Sequence, residues 1–187
     1  MENNIMFDDA SKNLLERIYQ GNKSNIYVLN NLISKTVNEN FKSQLEKNRD
    51  SLLRIINDCL AISSNLNTNL QDITLLKKAK LKSIIKFNNI VDNSTENSTK
   101  TLLTLFNEEI FNIIKALDCN ENSSEEIKKL ALLYNKTLEK CINDTKKFLI
   151  KDPNRFDDIL QKKKDNKNEN KKRKEKVKKN KREQINS

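Results

Sequence analysis

An apolar residue recurs every three or four positions along residues 38–63, NENFKSQLEKNRDSLLRIINDCLAIS. Six of the seven heptad positions are apolar, and the seventh is Asn48; the six are Phe41, Leu45, Leu52, Ile55, Cys59 and Ile62. This period is typical of an amphipathic helix that buries one face. Such a helix is about 40 Å long at ~1.5 Å per residue. The stretch therefore predicts a long helix that needs partners of similar length to cover its apolar side.

The whole chain is poor in the residues that turns and sheets use. Its 187 residues include one glycine, Gly21, and one proline, Pro153. Because tight turns and hairpins depend on these residue types, we expect an all-α fold. Lysine, asparagine and isoleucine are abundant, which we interpret as the codon bias of a low-GC bacterium.

Further segments share the helical period. We predict four long helices and one shorter crossover helix, over residues 9–35, 38–63, 95–117, 124–150 and 73–91. The first and last pairs of long helices are joined by short links, and a long connection separates the two pairs. This order is typical of ferritin-like bundles, and coiled-coil or spectrin-like arrangements explain the long connection less well. We therefore predict an antiparallel, ferritin-like four-helix bundle over residues 1–160, with a helix-containing crossover between helices 2 and 3.

Three short stretches resemble small, poorly characterised ferritin-like proteins of clostridia and related Firmicutes. They are LLERIYQG at residues 14–21, IVDNST at residues 90–95 and IIKAL at residues 113–117, and the similarity covers about residues 10–150. Some ferritin-like families hold a di-iron centre with inward glutamates and Glu-x-x-His pairs, but this chain contains no histidine. The resemblance therefore implies the fold rather than an iron-dependent activity.

The first helix carries polar residues where its period calls for apolar ones. These are Gly21, Asn22 and Asn25. Counting equal distances from the two short links brings Asn25 opposite Asn48, and Glu109 opposite Tyr134.

We interpret this mid-bundle set, Asn25, Asn48, Glu109 and Tyr134, as a polar layer that fixes the register of the helices. Glu109 also flanks its apolar stripe, so the other interpretation of this side chain is a solvated one. The alternative for the layer is a histidine-free iron or manganese site with Glu109 as its candidate ligand. A metal site would need several carboxylates or imidazoles, so no cofactor and no catalytic residue is predicted.

The compartment is predicted from the cysteines and the N-terminus. Cys59, Cys119 and Cys141 match no zinc or redox spacing. Residues 1–9 lack a secretory signal pattern, and the longest uncharged run, residues 59–71, is too polar to span a bilayer. We therefore expect a cytoplasmic protein without a transmembrane segment.

The excess positive charge lies at the C-terminal end. Residues 161–187 contain 13 Lys or Arg and 4 Asp or Glu, whereas residues 1–160 contain 23 and 22. This tail has one valine, one isoleucine and no aromatic residue, so we predict that it is disordered. We expect it either to solubilise the protein or to attract polyanions such as DNA, RNA or anionic lipid, with a steep dependence on salt. The basic residues concerned are Lys162, Lys163, Lys164, Lys171, Lys172, Arg173, Lys174, Lys176, Lys178, Lys179, Lys181 and Arg182.

Function is predicted from the lack of histidine, the lack of a catalytic motif and the separation of charge along the chain. The sequence favours a non-enzymatic helical-bundle protein with a binding or structural role, whose basic tail contacts nucleic acid or another polyanion. One alternative is a ferritin-like metal-binding or oxidoreductase bundle with an atypical site. Another is a sporulation-associated structural protein. Self-association into a homo-oligomer is left open.

Overall fold

The structure, a computed structural model, describes residues 9–91 and 94–149, with the backbone alone for residues 86–91. The described residues form five α-helices and no strand: α1 (Asp9–Ile33), α2 (Glu39–Asn65), α3 (Leu75–Val91), α4 (Thr95–Cys119) and α5 (Glu125–Lys146). A 3-10 turn, Lys147–Leu149, follows α5. The all-α prediction is confirmed.

The chain divides into two units, Met1–Leu149 and Ile150–Ser187. All five helices belong to the first unit. The second unit, which includes the predicted polybasic tail and its twelve named basic residues, lies outside the described residues.

Local capping explains where two of the helices begin. The Asn38 side chain accepts a hydrogen bond from the Phe41 backbone N–H, with 3.0 Å between Oδ1 and N. Asn38 is thus the N-cap of α2, which begins at Glu39. The Ser94 hydroxyl accepts from the Asn97 N–H at 3.2 Å and starts α4 in the same way. Such caps satisfy a backbone donor that the helix itself leaves free, and each contributes about 1 kcal/mol.

The apolar stripe of α2 is buried over its whole length. Its apolar heptad residues are at most 8% exposed: Phe41, Leu45, Leu52, Ile55, Cys59 and Ile62. Leu53 and Leu60, which flank the stripe, are exposed. Ile56, on the same flank, is buried, and this face packs against α1 and α5.

The helix with the polar interruptions, α1, contacts each of the other four helices. Its apolar residues lie in the core, and Leu14, Leu15, Ile18 and Leu29 are fully buried. At its start, the hydroxyl of Ser11 accepts a hydrogen bond from the backbone N–H of Ser124, with 2.7 Å between Oγ and N, just before α5 begins. The small and polar residues of α1 thus lie on a helix that packs against all four others.

The shortest of the five α-helices, α3, packs against α1 and α4. Two of its apolar side chains, Leu81 and Ile85, are buried in the core. Ile73, which precedes the helix, is buried as well. Within residues 9–91 and 94–149, no helix combines the length and the apolar character needed to cross a lipid bilayer.

Candidate functional site

Among the described residues, one carboxylate is buried, that of Glu109 on α4. The residue is 8% exposed, so the interpretation of Glu109 as a solvated side chain is wrong. Its Oε2 atom lies 3.3 Å from Nη2 of Arg17 on α1. The other oxygen, Oε1, is buried and has no hydrogen-bond partner among the described residues.

Gly21 of α1 makes room for this carboxylate. A Cβ atom placed on Gly21 would overlap Oε1 of Glu109 and would lie 2.6 Å from its Cδ. Glycine in a helix interior costs about 1 kcal/mol relative to alanine. The chain nevertheless has its one glycine here, where the absence of a side chain lets α1 and α4 approach.

Opposing effects act on the ionisation of Glu109. Burial raises the pKa of this carboxyl above 4.5, whereas the positive charges of Arg17 and Lys77 act to lower it. Lys77 lies on α3, and desolvation, followed by the charge of Arg17, lowers its own pKa. The net direction for Glu109 is upward because a carboxylate inside the protein loses its hydration.

A hydrogen bond joins α1 to α5 beside this carboxylate. The amide Nδ2 of Asn25 donates to the hydroxyl of Tyr134, with 3.0 Å between the atoms. Tyr134 is fully buried, and burial, followed by the negative charge of Glu109, raises its pKa well above 10. Asn25 lies one turn of α1 after Gly21, which contacts Glu109, and it is hydrogen-bonded to Tyr134. We call Arg17, Gly21, Asn25, Glu109 and Tyr134 the Glu109 cluster.

Asn48 belongs to a different polar group. Its Nδ2 donates to Oγ1 of Thr145 on α5 at 2.9 Å, and its Oδ1 accepts from Nε2 of Gln44 at 3.0 Å. Nζ of Lys147 in turn donates to Oε1 of Gln44 at 3.0 Å. Among the described residues, the side-chain hydrogen bonds of Asn48 thus run to Gln44 and Thr145, and none joins it to Asn25.

The sequence predicted that Asn25 of α1 faces Asn48 of α2, but a different residue, Asn22, makes the polar contact between these helices. Nδ2 of Asn22 donates to the backbone carbonyl of Leu52 at 2.8 Å and links α1 to α2. Counting from the link between helices estimates the height of a residue along its helix, but it does not give the direction in which each side chain points. Asn22 therefore faces α2, whereas Asn25 faces α5.

Several residues of these groups were not among the predicted site residues: Arg17, Gly21, Asn22, Gln44, Lys77 and Thr145. The polar interruption of the α1 period was the signal for Gly21 and Asn22. No periodic signal identifies Arg17 or Lys77, because charged residues at half-buried positions of a helix are common in any sequence. Their role depends on the neighbouring helix.

The described residues contain no group of three or more His, Cys, Asp or Glu side chains that could hold a metal ion. Cys59 and Cys141 are buried and Cys119 is exposed, and all three thiols are free. Burial raises the pKa values of Cys59 and Cys141 to about 12.

The interior polar groups share one chemical property: most of their hydrogen bonds join one helix to another. Two buried oxygens of these groups, Oδ1 of Asn22 and Oε1 of Glu109, have no hydrogen-bond partner among the described residues, and the carboxylate oxygen can take up a proton. Comparisons of the chain with protein-family models, with curated proteins and with solved structures found no match.

Proposed function

We propose that the protein is a non-enzymatic helical bundle with a binding or structural role, and that its basic C-terminal tail contacts polyanions. The observation that carries this proposal is the separation of charge along the chain. Residues 161–187 hold 13 basic and 4 acidic residues, whereas residues 1–160 hold 23 and 22. A dense cationic segment attracts phosphate-rich polymers through counterion release, whatever their sequence.

The interior contacts support a structural role for the helical part. Five of them each tie two helices or helix ends together: Ser11–Ser124, Arg17–Glu109, Asn22–Leu52, Asn25–Tyr134 and Asn48–Thr145. Buried polar groups that are paired in this way specify one arrangement of helices over its alternatives. Two buried oxygens of these residues, Oδ1 of Asn22 and Oε1 of Glu109, have no hydrogen-bond partner among the described residues.

We further propose that α1, α2, α4 and α5 form a ferritin-like four-helix bundle in which α3 lies in the crossover. Two observations support this connectivity. The Ser11–Ser124 bond joins the starts of α1 and α5, as parallel helices require. The Asn48–Thr145 bond joins the first half of α2 to the last turn of α5, as antiparallel helices require.

Distances between spin labels test this connectivity. Labels at Lys12 and Glu125, which are exposed at the starts of α1 and α5, should lie close together. Labels at Lys12 and Lys146 should be farther apart by about 30 Å, the length of α5 at ~1.5 Å per residue. Equal distances for the two pairs would exclude a parallel arrangement of α1 and α5.

A gel shift with a short DNA duplex tests the role of the tail in the full-length chain. The test variant carries Lys171→Gln, Lys172→Gln, Arg173→Gln and Lys174→Gln. A matched control removes four exposed lysines from the helices, through Lys47→Gln, Lys115→Gln, Lys129→Gln and Lys136→Gln. Both variants lose the same charge, so a difference between them isolates the tail.

The expected result is weaker binding by the tail variant alone. The slope of log affinity against log salt should also become shallower by about 3 to 4, at ~0.9 for each phosphate that the protein no longer neutralises. Equal binding by the tail variant and the parent chain would reject the role of the tail. Equally weakened binding by both variants would show that net charge, rather than the tail, determines binding.

A further inference from the structure

The crossover helix α3 is strongly basic. Residues 75–91 contain five lysines and no aspartate or glutamate. Two of these lysines turn toward the rest of the protein. Nζ of Lys78 lies 3.3 Å from Oδ2 of Asp72. Lys77 is half-buried, and the charges of Arg17 and Glu109 affect its pKa.

The side of α3 that points away from the core is exposed. Leu75 and Leu76 are 84% and 82% exposed, the highest values for leucine among the described residues. Ala79 and Ser83 lie one and two turns further along the same side of the helix. They continue a strip of apolar and small residues, because positions four apart lie on the same side of a helix.

Two lysines border this strip. At 100° per residue, Lys80 lies on one side of the line through Leu75, Ala79 and Ser83, and Lys82 lies on the other. Both lysines are exposed, and neither has a carboxylate within ion-pair distance among the described side chains. We call this surface the α3 outer face: Leu75, Leu76, Ala79, Lys80, Lys82 and Ser83.

We propose that the α3 outer face docks onto an anionic lipid surface. Leu75 and Leu76 enter the boundary between headgroups and acyl chains, and Lys80 and Lys82 lie against the lipid phosphates. Interfacial helices combine these two features, because apolar burial and electrostatic attraction to anionic lipid add together. The backbone of a nucleic acid would attract the lysines but would offer the two leucines no apolar environment.

Docking through α3 does not require the polybasic tail. The docking proposal rests only on the charge and exposure of residues 75–83, whereas the proposed function depends on residues 161–187. The two can therefore fail separately.

Flotation with lipid vesicles tests the docking in the full-length chain. We expect binding to vesicles of phosphatidylcholine mixed with phosphatidylglycerol, and not to vesicles of phosphatidylcholine alone. Binding should weaken as salt is added, because the lipid charge is screened. The double variant Leu75→Ser/Leu76→Ser should bind at least about tenfold more weakly, since it removes two apolar side chains from the lipid contact. Lys80→Gln/Lys82→Gln should lower binding by about fivefold for each lysine.

A second exposed leucine pair is the matched control. Leu132 and Leu133 of α5 are 59% and 47% exposed, and this helix carries charges of both signs. Leu132→Ser/Leu133→Ser should bind vesicles as tightly as the parent chain. All variants should keep their helical circular dichroism and melting temperature, because the substituted side chains face solvent.

Several outcomes would overturn the docking. These are no binding by the parent chain, equal binding to both kinds of vesicle, and undiminished binding by the Leu75→Ser/Leu76→Ser variant. A large fall in its melting temperature would show instead that another part of the chain covers these leucines. The Lys80→Gln/Lys82→Gln variant could also bind a DNA duplex more weakly than the parent chain and bind vesicles equally well. That result would assign the surface to nucleic acid.

The tail variant separates this proposal from the previous one. If vesicle binding disappears only when the basic residues from Lys171 to Lys174 are neutralised, the tail binds polyanions and α3 does not dock. If it disappears only in the α3 variants, the docking holds, and the gel shift decides separately on the tail.

Discussion

The carboxylate of Glu109 on α4 lies directly against the Cα atom of Gly21 on α1, where even a methyl group would overlap it. The two residues are 88 positions apart in the sequence (109 minus 21). The only glycine of the chain therefore provides the space that the buried Glu109 side chain occupies. This contact, rather than a turn, accounts for a helix-weakening residue in the middle of the helix that contacts all the others.

Gly21→Ala is expected to destabilise the protein. In most helix interiors this change stabilises by about 1 kcal/mol, because alanine is the better helix former. Here the new methyl group displaces Glu109, and we expect a net decrease of about 1–3 kcal/mol in the free energy of unfolding, as for other overpacked sites. Urea denaturation measures the change.

Removal of the carboxylate should reverse this effect. In a Glu109→Ala background, Gly21→Ala meets no obstacle, and we expect it to be neutral or stabilising. Glu108→Ala is the matched control, because Glu108 is the exposed neighbour of Glu109 and should not rescue the variant. Equal effects of Gly21→Ala in all three backgrounds would contradict the contact.

Glu109→Gln should stabilise the protein at neutral pH. Folding raises the pKa of Glu109 above 4.5, so the folded chain holds this proton more tightly than the unfolded chain. The ionised group therefore destabilises the fold at pH 7, and that penalty disappears as the pH falls through the raised pKa. The advantage of the neutral glutamine should shrink in the same range.

Urea denaturation of parent and variant at several pH values between about 4 and 8 measures this difference. Arg17 and Lys77 oppose the effect of burial, and Tyr134 is the other titratable group beside the carboxyl. A variant that is less stable than the parent at pH 7 would show that the two cations outweigh the cost of burial. Glu108→Gln, at an exposed position, should change stability little at any pH.

Asn48→Ala should cost about 1–3 kcal/mol, because it leaves buried partners on α2 and α5 without a hydrogen bond. The effect should be coupled to that of Thr145→Ala by about 0.5–3 kcal/mol in a double-mutant cycle, since the two side chains are in contact. Asn57→Ala, at an exposed position of the same helix, is the control and should show no coupling. Strictly additive effects for Asn48 and Thr145 would mean that the bond contributes nothing to stability.

One thiol of the three should react rapidly with a thiol reagent in the native protein. Burial raises the pKa values of Cys59 and Cys141 to about 12, so their reactive thiolate forms are scarce at neutral pH. Cys119 is exposed. Cys119→Ser should abolish the rapid reaction, and unfolding in urea should expose all remaining thiols. Rapid labelling of a second cysteine in the native parent would contradict the burial of these thiols on α2 and α5.

Patterns within a few residues were sufficient to predict the secondary structure class. The apolar period of residues 38–63 and the scarcity of glycine and proline predicted an all-helical chain, as the structure confirms for the residues that it describes. The polar interruption at Gly21, Asn22 and Asn25 was visible as well. These features are local because a helix is built from hydrogen bonds and side-chain contacts between residues three or four apart.

The partners of the interior polar residues required the tertiary structure. Counting along the helices placed Asn25, Glu109 and Tyr134 at one level, and the structure groups them. It places Asn48 with Thr145 instead, and it pairs Glu109 with Gly21 and Arg17. The physical reason is that height along a helix follows from counting residues. The direction of each side chain around the axis, and the helix it faces, depend on how segments far apart in the chain pack together.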